Sequence, residues 1–288
     1  MKISSSHVGP LPGRREITLT TRQMLAYAAG IGDGSPFVFD DLHPDFMAHP
    51  ALCVALEWPV ISDPGGLARI VSDPRALVRA VQSVQDSTFH RPMRSGDQLT
   101  TSGRITGIWR GATGVRVASE LCTRNSLGEE VVTSQLLAIY RGVQAEGEDQ
   151  PAAQPATVPA ADPACGETQS APLPIERALP HRYSECSGIW NPIHTERRAA
   201  RAAGLPDVVL HGTATWALAG SELIRRLADG KPGRLKRLHG RFAALVFPGT
   251  TLRLQYRTRE RDRRTEVFFE VLTPEGERAI SDGFALLA

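Results

Sequence analysis

Lysine is almost missing from this chain. Of its 33 basic residues only Lys2, Lys231 and Lys236 are lysine, and 31 acidic residues leave a net charge of +2. That balance gives no bulk electrostatic case for a nucleic-acid partner or an anionic membrane. Cysteine is scarce too: Cys53, Cys122, Cys165 and Cys186 form no CxxC pair. Neither a zinc ribbon nor a thioredoxin-like redox motif is expected, and reduced thiols are. No GxGxxG, P-loop or HExxH pattern occurs, so the motifs that announce nucleotide cofactors or catalytic zinc are lacking, and no cofactor is expected. No apolar run approaches the ~18 residues that span a bilayer. The stretch MKISSSHVGPLPGRRE has no signal-peptide apolar core. The expected location is the cytoplasm.

What is present is an ordinary globular composition, 41% hydrophobic over 288 residues. That length suits one large domain or two of about 110 to 150 residues. Residues 1–13 read as an extended polar lead. From Thr20 the chain TTRQMLAYAAG has a capping threonine, an apolar stripe at Met24, Leu25, Ala28 and Ala29, and a stop at Gly30. ALCVALEWPVISD fits either a helix or a buried strand. Residues 80–142 alternate apolar and polar side chains between glycine-containing turns, the mark of an antiparallel sheet. Residues 143–175 are rich in proline and alanine and lack aromatics. They read as a linker.

Beyond the linker, Trp216, Ala219 or Gly220, Leu223 and Leu227 recur at helical spacing within Thr213–Asp229. This small-residue helix can be embraced closely, and Gly230 and Pro232 stop it. Strand-like segments follow, one carrying His239-Gly240, expected at a strand edge, and one ending in the Arg-rich hairpin RTRERDRRT. His90 falls among the strands of the first half, in the core or on the surface. Both halves thus repeat one order: helical start, apolar helix, antiparallel meander. The expected class is α+β, with units at 14–142 and 176–288 joined by 143–175.

Tyr183 to Gly212 is the chemically informative stretch. Asn191-Pro192 starts a turn. It sets His194 at the mouth of a short helix expected over Thr195–Ala203 and stopped by Gly204 and Pro206. The fixed positions Tyr183, Ser187-Gly188, Asn191-Pro192-Ile193-His194, Glu196, Ala200 and Gly204, followed by His211-Gly212, resemble the motif of the MaoC-like hydratase/dehydratase family, also called hydratase 2.

The resemblance covers residues 176–288. It implies a double hot-dog fold, with the first half a diverged copy that shapes the acyl pocket and lacks the motif. It also implies reversible addition of water to a trans-2-enoyl thioester, giving the (R)-3-hydroxyacyl thioester. The substrate would be an acyl-CoA or acyl-carrier thioester, and a homodimer is expected by analogy. By this likeness His194 is the catalytic histidine and Asn191 supports the site. Gly212 lies where a backbone N–H at the helix start receives the thioester oxygen. His211 is expected to fix that turn beside the substrate, and Trp190 to line the acyl pocket or to pack.

One position departs from the motif. The family's aspartate, which shares the activation of water with the histidine, falls on Ile189. An alkyl side chain can neither accept a proton nor orient a water. Glu185 and Glu196 are the nearby carboxylates, and Glu196 reads more simply as a first-turn helix charge. The sequence therefore leaves open hydration by His194 alone, another reaction such as isomerisation, conjugate addition or cyclisation, and a non-catalytic acyl-binding subunit.

Overall fold

A computed structural model describes residues 1–62, 66–71, 73, 76, 79–153 and 157–288. The first half begins with β1 (Lys2–Ser4), β2 (Gly9–Thr18), α1 (Thr21–Ile31) and α2 (Pro36–Phe39). It continues with α3 (Cys53–Ser62), β3 (Ala80–Phe89), β4 (Gln98–Gly111), β5 (Gly114–Asn125), β6 (Glu130–Arg141) and β7 (Gln144–Glu146). The second half carries β8 (Gln169–Ile175), α4 (Leu179–Ser187), α5 (Arg197–Ala202) and α6 (Gly212–Leu227), then β9 (Leu235–Phe242), β10 (Thr250–Arg261), β11 (Arg264–Leu272) and β12 (Arg278–Leu287).

Among the described residues, ten strands make one antiparallel sheet in the order β2-β4-β5-β6-β3-β9-β12-β11-β10-β8. The order is a mirror: each half runs edge, second, third, fourth, centre, and the halves meet where β3 pairs with β9. This is the α+β arrangement expected. The segment open to two readings is the helix α3, with Pro59 inside it. α6 lies against the second half of the sheet, Leu238 of β9 meeting it at Gly220, and its Trp216 is fully buried. α1 packs against α4, which carries the first part of the informative stretch across to the first half.

Three expectations need correction. The polar lead is partly strand, because β1 pairs with β7 and β2 forms a sheet edge. The linker is shorter than its composition suggested, because residues 169–175 pair with β10 and 144–146 with β1. Between these strands the chain is tied down: Arg257 donates to the carbonyls of Cys165 and Gly166, and Arg259 pairs with Asp162 and Glu266. Residues 154–156 lie outside the described residues. His239 is not at a strand edge: β9 is central, and the ring is buried opposite Asp86. His90 stands at the surface beside Thr133.

Candidate active site

α4 ends at Gly188, whose φ of 71° is the left-handed cap that lets the chain reverse. Ser187 donates to the Tyr183 carbonyl and accepts the Ile189 N–H, which closes the reversal. The side chain of Ile189 then enters the main hydrophobic core, where it is 6% exposed. Trp190 is 53% exposed, so it does not pack in the core, and among the described residues it makes no ring contact with His194 or His211.

Asn191 caps a single 3-10 turn, Pro192–His194, by accepting the Ile193 N–H on Oδ1 at 3.3 Å. His194 therefore closes a rigid turn. The helix expected to begin at Thr195 starts at Arg197, because the Glu196 N–H is taken by the Pro192 carbonyl. The chain returns through Val209 and Leu210 to His211, the N-cap of α6.

The two histidines stack, with ring centroids 3.6 Å apart and planes 23° from parallel. His194 Nδ1 lies 2.7 Å from the Val209 carbonyl oxygen. A carbonyl only accepts, so Nδ1 carries the proton and Nε2 keeps a lone pair. That Nε2 is not among the sealed, unpartnered polar atoms. His211 is the reverse case. Its Nε2 faces the Ile189 carbonyl at 3.1 Å and Ser184 Oγ at 3.3 Å, so Nε2 is protonated and the buried Nδ1 has no partner.

Burial lowers His194 to about 4, against a smaller opposite effect of the Val209 hydrogen bond. Burial, then the neighbouring His194, lowers His211 to about 2. Both rings are neutral at pH 7. Among the described residues no carboxylate bonds either ring: Glu185 is exposed, and Glu196 is exposed at the N-cap of α5.

Gly212 opens α6, so its N–H and that of Thr213 have no intrahelical acceptor and sit at the positive end of the helix. A side chain at Gly212 would meet the Phe242 ring at 3.0 Å, so this position approaches the sheet closely. Sequence reasoning did not find Thr213 as a site residue. Tyr183, read only as a motif position, donates to Thr213 Oγ1 at 3.1 Å. The hint was its place directly after His211-Gly212. Among the described residues no three His, Cys, Asp or Glu side chains are grouped as a metal site requires.

Residues 161–277 match the model of the MaoC like domain, and residues 6–134 match that of the FAS1-like dehydratase domain region. The second half of the chain thus carries a MaoC-like domain, and the first half resembles a dehydratase domain region. A probable enoyl-CoA hydratase 2 of Dictyostelium discoideum is 24% identical over 280 residues, which is 94% of this chain and 92% of that protein. The 3-hydroxyacyl-thioester dehydratase Y of Mycobacterium tuberculosis is 27% identical over 266 residues, 88% of this chain and 86% of that one. Among solved structures, a MaoC-like dehydratase from Phytophthora Capsici superposes with a TM-score of 0.81 at 20% identity, covering 98% of this chain and 96% of that one. A Mycobacterium tuberculosis protein described as having a double hotdog fold superposes with a TM-score of 0.61 at 16% identity, covering 95% and 93%. The fold of this MaoC-like chain is thus the double hot-dog.

Proposed function

We propose that this MaoC-like protein is a hydratase/dehydratase acting on an acyl thioester, with His194 as its acid/base. The observation that carries the reading is the neutral His194, its Nδ1 proton fixed by Val209 and its Nε2 bare. The activities named for its relatives support it.

In the hydration direction, His194 Nε2 takes a proton from a water whose oxygen bonds to C3 of a 2-enoyl thioester. The C2=C3 electron pair moves toward C2 and the thioester oxygen. The Gly212 N–H and the start of α6 receive that developing charge. C2 then takes a proton from the His194 imidazolium, and the ring is neutral again. Because Ile189 has no proton to exchange, one base serves both steps. Burial makes His194 a weak base and its conjugate acid a ready donor to C2. Asn191 holds the turn that aims the ring.

The same reading takes the units expected at 14–142 and 176–288, extended to include all of β2 and β8, as two hot-dog units, supported by the mirrored strand order. It includes a homodimer, by analogy with the fold, and a cytoplasmic location. No helix of the described residues is long and apolar enough to cross a membrane.

The test is hydration of crotonyl-CoA and longer enoyl-CoAs by wild type, His194→Ala and Ile189→Asp. Wild type is expected to turn over, and His194→Ala to lose about 10²–10⁴-fold in kcat. The buried Ile189 favours one other reading, a hydratase pocket diverted to another reaction. Inert wild type with an active Ile189→Asp variant would establish it. Inertness of all three would leave an acyl-binding subunit.

A further inference from the structure

The Tyr183 ring is wholly buried and held from two sides, tilted against His211 at 4.9 Å and edge-on to Tyr27 at 6.0 Å. Packing therefore aims its hydroxyl, which donates to Thr213 Oγ1 at 3.1 Å. Burial pushes the Tyr183 phenol well above its ordinary value, so it stays a neutral donor. A hydroxyl that accepts a hydrogen bond is polarised toward giving its own proton. Thr213 is half-buried, and among the described residues its side chain makes only this one hydrogen bond, as acceptor. Its proton remains to be given. It stands one residue past Gly212, in the first turn of α6, where the helix has N–H groups without intrahelical acceptors.

We propose that Thr213 is a catalytic residue whose hydroxyl donates to the thioester oxygen beside the Gly212 N–H, and that Tyr183 is the positioning residue that aims and polarises it. The inference rests on the hydratase reading. It adds a donor to a site that Ile189 leaves with a single ionisable partner for the substrate. The relay is a chain of two hydrogen bonds, Tyr183 to Thr213 and Thr213 to the oxygen of the substrate. No bond to hydrogen breaks in it, and the negative charge stays on the enolate oxygen.

The experiment compares Thr213→Val, Thr213→Ser and Tyr183→Phe by kcat and KM with crotonyl-CoA. It also records the absorbance of bound 2,4-hexadienoyl-CoA, whose conjugated thioester shifts to the red when its oxygen is polarised. Thr213→Val is expected to lose about 10- to 100-fold in kcat with little change in KM, less than loss of a sole oxyanion donor because Gly212 remains. Thr213→Ser should keep most of the activity, Tyr183→Phe should fall between, and the red shift should shrink in Thr213→Val. A Thr213→Val enzyme with wild-type kcat, or a serine variant as poor as the valine one, overturns the proposal. If wild type hydrates nothing, the hydratase reading fails and the spectrum decides alone. A red shift present in wild type and lost in Thr213→Val then upholds the relay, and equal shifts, or none, sink it.

Discussion

His194 shows how one ring can be legible as a site and illegible as a chemical state. Its place after Asn191-Pro192 announces a fixed turn, and the structure has that turn. Its protonation depends on burial and on the Val209 carbonyl fifteen residues away in the chain, which no local pattern reveals. The consequence is a pH dependence. The base must be neutral to work, so activity rises with pH through the folded value of about 4, not through the ordinary 6.5. The acid limb of kcat/KM for enoyl-CoA hydration is therefore expected near 4. A limb near 6.5 would mean that His194 is solvated in the working enzyme. Stability follows the same sign. Between about 4 and 6.5 the unfolded ring binds a proton that the folded ring refuses, so this contribution is full above 6.5 and fades as pH falls toward 4. Ile189 is the opposite case. Its loss of chemistry is plain in the sequence, but only the fold shows that its side chain has joined the core.

α1 is an element whose start was legible and whose end was not. Thr20 and Gln23 form the capping box at its start. Gly30, which resembles a stop signal, lies inside the helix, and the chain ends it two residues later at Gly32, with φ of 71°. The reason is tertiary: a Cβ on Gly30 would come 2.8 Å from Cys186 Cβ on α4, so the glycine is there to let two helices touch. Gly30→Ala should therefore destabilise the protein by about 1–3 kcal/mol, the usual cost of overpacking, although alanine is the better helix former. Urea unfolding would measure it, and a variant as stable as wild type would show that α4 moves aside freely. The same lesson holds for β8. Its prolines suggested a linker, yet Ala171, Leu173 and Ile175 are buried in strict alternation with exposed Pro172 and Pro174. Proline lacks an N–H to donate and is tolerated in edge strands. Among the described residues β8 pairs only with β10, so the period-two signal was present and composition masked it.

At the scale of the whole molecule, the tandem order of elements foretold two similar halves but not how they join. They join through β3 and β9, and at that seam Arg237 holds Asp86 with two hydrogen bonds, Nε to Oδ1 at 2.8 Å and Nη2 to Oδ2 at 2.6 Å. Arg237 also donates to the Thr157 carbonyl, which ties the segment between the halves over the seam. These partners lie 151 and 80 residues from Arg237 in the chain, so nothing local marks them. Burial alone would raise the Asp86 carboxyl, but its two hydrogen bonds from Arg237, with the His239 ring 3.6 Å away, outweigh burial and hold it below the ordinary range. Its contribution is thus present above an unfolded value near 3.8 and is lost as pH falls through the lower folded one. Arg237→Met leaves Asp86, 5% exposed, without its main partner. The expected cost is about 3 kcal/mol, the low end for a broken buried pair, because the Arg237 side chain itself is 25% exposed. Adding Asp86→Asn removes the stranded charge and should recover much of that loss. Urea unfolding of the two single variants and the double variant at pH 7 forms the cycle. Additive losses would show that the two side chains do not couple across the halves, whereas recovery in the double variant would show that the Arg237→Met loss is the cost of leaving the Asp86 charge buried and unpaired.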